Sequence, residues 1–307
     1  MGSKRWRGFR SVLCPIDFSE QSRIALQYAE AIALRGNSSL RVAFVNDPLL
    51  VASAAAALHN HDLAKWSAEE LESFVGTTLT ADGRARLPLK TQVSTGNPAH
   101  EIMKAASRTG TDLIVLGTRG LTGPGRLLMG STTLGVLQRT TVPVLAVPHP
   151  DDAPGATVPR SWPGDRIPAP IELDAVSRRD VDVAVRVAEW FDASLLLLHV
   201  VKEIAAPAWI KGDLSGHDRI RIAQAAERID ALAETARRRV ESETRVVCGK
   251  VPEEIAAFAA SQRVHLLITA LRGRRGWFGP QQGSVSYQVL SHAVAPVLAC
   301  PQQWRVR

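Results

Sequence analysis

The chain has 307 residues, a formal net charge of +7 and 45% hydrophobic residues, which suits two globular domains and excludes a disordered or fibrous chain. Its longest apolar runs, such as SLLLLHVV at 194–201, are strand-length and fall well short of the ~18 residues of a membrane-spanning helix. The excess of arginine favours anionic ligands or leaves a scattered basic surface.

The basic start MGSKRWRGFR runs into SVLCPID, too short and too soon acidic for a signal-peptide core. Trp6 stands where a myristoylation signal needs Ser or Thr. The expectation is a cytoplasmic protein. From here RSVLCPID reads as a first strand and Glu20–Leu34 as a helix, followed by the strand SLRVAFV. The apolar stretch Leu49–Leu58 lies outside this alternation and reads as a flap over the sheet edge. HNHD at 59–62 raises a metal site, but a similar GHD recurs at 216–218, which favours helix capping by Asp62 and Asp218. Helix Asp62–Leu79, strand LKTQVS, helix Pro98–Ser107, strand TDLIVLG, helix Ser131–Arg139 and strand VPVLAVP complete the half. Pro98 suits a first helical turn. Several strands are apolar on consecutive residues, as in a parallel sheet buried on both faces. Five such strands with four intervening helices indicate a doubly wound α/β domain. Cys14, Cys248 and Cys300 are odd in number and far apart, which fits neither a disulfide framework nor a metal site.

Between the fourth strand and the helix after it lies GTRGLTGPGRLLMGST, Gly117–Thr132, with five glycines. Ligands of open parallel sheets bind beyond the carboxyl ends of the strands. Glycine admits φ > 0 and close approach to its backbone, and a loop of amides leading into a helix start forms an anion site. Ser131 and Thr132 add hydroxyl donors while doubling as N-cap residues, and Arg119 and Arg126 can offset phosphate charge. Neither the Walker pattern nor G-x-G-x-x-G is matched. The spacing is G-x2-G-x9-G-[ST], carried by Gly117, Gly120, Gly130 and Ser131.

Pro148–Pro170 holds seven prolines and no periodicity, and reads as a linker that can join neither a helix interior nor a central strand. Beyond it the chain repeats. A shift of 153 residues lays Val93–Pro148 over Val246–Pro301 with 18 identities in 56 positions, the mark of a duplicated domain. The second copy departs at the loop, where Ala270 replaces Gly117 while Gly273, Gly283 and Ser284 are kept, and Trp277 and Phe278 intervene. A methyl at that position either strains a left-handed backbone or enters ligand space. In the opening strand, RIPAPIELD, Glu172 stands where the first half has Pro15, and Asp174 is matched to Asp17. Arg237–Arg239 reads as the basic end of a helix. No nucleic-acid module accompanies that run or ALRGRRGWF at 270–278, so nucleic acid is an unfavoured partner.

The glycine spacing, placed after a strand and before a helix, resembles the nucleotide loop of the universal stress protein family. VLCPIDFSEQSRIAL resembles that family's opening strand and helix, GNPAHEI its G-x-P-x-x-x-I segment and TTVPVLAVP its closing strand. The resemblance implies two tandem doubly wound five-stranded parallel-sheet domains: residues 1–148 binding ATP, a linker at 149–168, and residues 169–307 with a degenerate loop. It places adenine near Asp17 and Val45, with Pro15 close to the nucleotide. Gly117, Thr118, Arg119, Gly120, Leu121, Thr122 and Gly123 would pass around ribose and phosphates. Gly130, Ser131, Thr132 and Thr133 would meet the phosphates at the helix start, with Mg2+ as the accompanying ion. It also implies an internal pseudo-dimer through VPVLAVP and APVLACP, with a homodimer and a further protein partner left open. The function it implies is a nucleotide-responsive stress or regulatory role, with no catalytic residues and no protein metal site. Slow ATP hydrolysis, an interaction module that has lost the nucleotide, and AMP or cyclic AMP in place of ATP stay open.

Overall fold

Consecutive apolar residues such as LIVL and VLAV need cover on both faces, and the chain supplies it with helices. The structure, a computed structural model, describes residues 6–58, 63–118, 129–148, 158–159, 162–204, 215–271 and 285–304. In the first half β1 (Ser11–Ile16), α1 (Glu20–Gly36), β2 (Ser39–Asn46), α2 (Pro48–Leu58), α3 (Leu63–Thr78) and α4 (Ala81–Arg86) come first. They are followed by β3 (Leu89–Thr95), α5 (Pro98–Thr109), β4 (Leu113–Gly117), α6 (Ser131–Arg139) and β5 (Val144–Val147). The second half opens with β6 (Arg166–Pro170), α7 (Ser177–Phe191), β7 (Ser194–Lys202) and α8 (Ser215–Arg237). It closes with β8 (Ser242–Gly249), α9 (Val251–Ser261), β9 (Leu267–Leu271), α10 (Val285–His292) and β10 (Val297–Pro301).

The α/β class and parallel first sheet agree with the sequence reading. α2 and α4 have no counterpart in it: the stretch read as a flap is helical, with Leu49 and Leu50 exposed. HNHD at 59–62 lies outside the described residues, and Asp218 sits inside the first turn of α8, paired with Arg221 at 2.8 Å rather than capping it. Among the described residues no helix is long and apolar enough to cross a membrane.

The strand order is β3-β2-β1-β4-β5-β10-β9 in one sheet and β6-β7-β8 in another. The order of the first five reverses between β1 and β4, the switch point of a doubly wound sheet. The second half was expected to repeat this sheet, and instead its five strands are divided. Prolines divide them. The Ser194 amide donates to the Asp165 carbonyl and the Ile171 amide to the Leu198 carbonyl, so odd-numbered residues of β6 face β7. Pro168 and Pro170 therefore face β9, where neither has an amide to give. β6 still runs beside β9, but without a ladder, and becomes an edge strand. Its start at Arg166 also lies inside the stretch read as linker: an edge accommodates the prolines that a central strand cannot.

β10 joins the first sheet antiparallel to β5, with Leu298 opposite Leu145, Val297 opposite Ala146 and Ala299 opposite Val144. These partners are equivalent under the 153-residue repeat, so the pair lies on an internal twofold axis. Each face of the sheet carries one core shared by both halves. α1, α3, α7 and α8 cover the first, and α5, α6, α9 and α10 the second. An aromatic seam closes the first face. The Trp6 ring lies 5.7 Å from Trp190 and 5.8 Å from Trp304, and Phe9 lies 5.4 Å from Trp190. Gly8, at φ +86, is required there, since a Cβ would stand 2.0 Å from Trp190 Nε1.

Leu298 is 1% exposed and belongs to the core common to both halves. Leu298→Ala is expected to destabilise the chain by about 2–5 kcal/mol in a single urea transition. A loss below about 1 kcal/mol, or two separate transitions, would show that the halves do not share one core.

Candidate functional site

The carboxyl ends of β1, β2 and β4 converge beside the switch point. The Arg10 carbonyl accepts from Ser39 and the Ser11 carbonyl from Asp112, so odd residues of β1 face β4. Pro15 is among them. With no amide to offer, it ends the β1–β4 register after Leu13 opposite Ile114, whereas β1 and β2 stay paired to Ile16 opposite Phe44. Beyond that point β1 and β4 share no register pair, at the switch point where a doubly wound sheet has its crevice.

Asp17 follows at its rim, half-buried. Its Oδ1 accepts from the Ser19 amide at 3.1 Å and from the Ser19 hydroxyl at 2.5 Å, while Ser19 caps α1 by accepting from Ser22. Phe18, between them, has φ +63, costly for a bulky residue. That turn sets its ring 4.5 Å from Phe44 and 5.6 Å from Phe74. Val45, half-buried at the end of β2, faces the opposite core with α5 and α6. Cys14, by contrast, is wholly buried against α1, and burial pushes its thiol pKa up.

β4 ends at Gly117. Its φ lies outside the left-handed range, so the glycine is not needed for backbone freedom. A Cβ there would stand 2.7 Å from Cγ and 2.9 Å from Cδ of Gln21. Gln21 is 3% exposed, and its amide donates to the Thr118 hydroxyl at 3.2 Å and the Val147 carbonyl at 3.1 Å. Gly117 thus makes room for a buried side chain of α1, a role for which the sequence pattern carried no signal. In the second half Ala270 lines a 20 Å³ void together with Asp180 and Ala184.

The Gly130 amide donates to the Thr118 carbonyl at 2.8 Å, tying together the ends of the glycine loop. Arg119, Gly120, Leu121, Thr122 and Gly123 lie outside the described residues. Gly130 itself is the N-cap of α6 and provides no side-chain bond, so Ser131 and Thr132 are the first helical residues and not caps. Amides in that turn have no intrahelical acceptor, and a helix start of this kind favours an anion. Ser131 is exposed and Thr132 half-buried. Thr133 is 4% exposed and its hydroxyl donates to the Gly117 carbonyl at 2.7 Å. Its single hydroxyl proton is spent on a strap between β4 and α6. Ser286 repeats the strap on the Ala270 carbonyl at 3.1 Å.

Residues 8–148 and 165–301 each match the model of the universal stress protein family. The chain belongs to that family. It is 28% identical over 154 residues to universal stress protein MJ0577 of Methanocaldococcus jannaschii, across 45% of this chain and 94% of that one. A universal stress protein of Mycolicibacterium smegmatis is 24% identical over 306 residues, 94% of this chain and 95% of its own. Among solved structures, a universal stress protein from Archaeoglobus fulgidus superposes with a TM-score of 0.60 at 19% identity, covering 97% of this chain and 98% of that one. At that identity the likeness speaks for the fold.

The two universal stress protein halves also correct the opening register of the repeat. Phe18 and Leu173 share a left-handed backbone, at φ +63 and +58, and the carbonyls of Arg10 and Asp165 accept equivalent bonds. The offset here is 155 residues, not 153. Glu172 is thus the counterpart of Asp17, Pro170 of Pro15, Asp174 of the cap Ser19 and Val176 of Gln21.

Gly117→Ala is expected to cost about 1–3 kcal/mol by overpacking against Gln21. Gln21→Val, the second half's own choice, should relieve the clash, so the double variant loses less than the two single losses added. Additivity within about 0.5 kcal/mol in urea unfolding would sink this account of the glycine.

Proposed function

We propose that the first half binds ATP, accompanied by Mg2+, and that the chain is a cytoplasmic, nucleotide-responsive regulatory protein of the stress response. What supports this reading is the end of the β1–β4 register at Pro15, at the switch point where ligands of such sheets bind, with the Asp17 carboxylate after β1 and a helix start at Gly130 that has no side-chain cap. Asp17 would accept from the base or ribose, and Val45 would offer the base an apolar surface. Gly130, Ser131 and Thr132 would receive the phosphates on backbone amides and hydroxyls, which suits an anion at a helix start. Gly117, Thr118, Arg119, Gly120, Leu121, Thr122 and Gly123 belong to the same proposed site as its loop. Within this reading residues 1–148 form the nucleotide unit, and 169–307 follow the linker 149–168 as a unit with a degenerate loop. Occupancy would act through differential ATP affinity between two conformations, passed on to a protein partner.

Calorimetric titration of Mg-ATP into nucleotide-free protein tests the proposal. One site per chain is expected, with affinity lowered at least about tenfold in Gly130→Val while the unfolding midpoint holds. Absence of heat in the parent protein, or a titration unchanged in the variant, overturns it.

A further inference from the structure

The second half has kept the crevice but changed its walls. In the first half Phe18, Phe44 and Phe74 pack together below the strand ends, the last with Arg23 4.5 Å above its ring. Leu173 takes the place of Phe18. His199, one residue beyond the Pro170–Leu198 pair, takes that of Phe44, which lies one beyond Pro15–Ala43. On α8, the counterpart of α3, Arg228 donates to the Leu173 carbonyl, where Phe74 meets Phe18. Three phenyl groups have become Leu, His and Arg.

A cavity of about 460 Å³ lies over these strand ends, reaching from α8 to α9 and α10, within the range of small-molecule sites. Val200, Val251, Ile255 and Val289 line one part of it, and His199, Lys202 and Arg228 another. His199 Nδ1 lies 2.7 Å from the Ile171 carbonyl. A carbonyl only accepts, so Nδ1 carries the hydrogen and Nε2 is the ring's remaining polar atom. Arg221 also lines the cavity but is paired with Asp218 at 2.8 Å. Lys202 and Arg228 make no ion pair among the described residues, and Glu172 is the one carboxylate of the lining. The excess is positive, beside apolar walls.

We propose that this cavity binds a small organic anion, an apolar body bearing one carboxylate or phosphate group. Its charge meets Arg228 and Lys202, and its body lies against Val200, Ile255 and Val289. The placement argues against a second nucleotide in the first half's proposed orientation. That orientation would set the neutral base at the ends of β6 and β7, where this half has put its cations. An oxyanion there forms charge-assisted bonds that a base cannot.

The experiment titrates phenylacetate and phenyl phosphate separately into the full chain by calorimetry, with and without saturating Mg-ATP. At least one probe is expected to bind once per chain, and the tighter of the two assigns the anion as carboxylate or phosphate. Arg228→Leu should weaken it at least about tenfold, the size of one charged hydrogen bond. His199→Phe with Arg228→Phe, which restores the first half's aromatic wall, should abolish it while leaving any ATP heat unchanged. Lys202→Ala, on an exposed side chain, should weaken it in the same direction and stands in if the others misfold. The inference falls if neither probe binds, if binding survives these substitutions, or if a second ATP per chain displaces the probe. Loss of ATP binding in the first half alone leaves it intact.

Discussion

A residue without an amide cannot extend a parallel ladder on the side it faces, and that constraint shapes both halves of this molecule. In β1 the single proline at position 15 comes after two register pairs with β4, so the sheet holds together and parts only at its carboxyl edge. In β6 the counterpart, Pro170, is preceded by Pro168 on the same side. No pair forms with β9, and one sheet becomes two. The same chemistry, at one position or at two, separates a crevice from a break.

The break is tolerable because the second half does not depend on its own sheet for cover. β9 and β10 complete the first half's sheet through the β5 pair, and both cores run across that junction. The prolines then serve an edge strand well, since they deny a template to other chains. Trp6 and Phe9 add a further tie by packing on Trp190 of the other half.

Much of this was legible in the sequence. Consecutive apolar residues and the 153-residue repeat disclosed the fold class and the two tandem domains, because burial on two faces and duplication both leave direct marks, while the pairing of the closing strands came from the family resemblance. What was not legible depends on distances between residues far apart in the chain. Gly117 was read as a need for either φ > 0 or close approach of a ligand, and the close neighbour is instead Gln21, which arrives from α1. The opening of the second half misled for a different reason: Glu172 and Asp174 are two apart, and either can be laid on Asp17. The left-handed backbone shared by Phe18 and Leu173 decides between them, and no composition rule assigns φ > 0 to a Phe or a Leu. Trp6 stood in a stretch read for its charge, with no periodicity to reveal the seam.

Covalent duplication also explains how the two crevices came to differ. In a dimer of identical halves every substitution appears twice, so replacing the phenylalanine wall would alter both sites together. Joined in one chain, Phe18, Phe44 and Phe74 can remain on one side while Leu173, His199 and Arg228 occupy the other, with the twofold seam at Leu145 and Leu298 undisturbed. The backbone supports this independence. Pro15 and Pro170, the left-handed turns after them and the hydroxyl straps of Thr133 and Ser286 recur in both halves. The scaffold of the crevice is therefore held constant while its chemistry changes, and the side chains that changed are those from which selectivity between ligands must come.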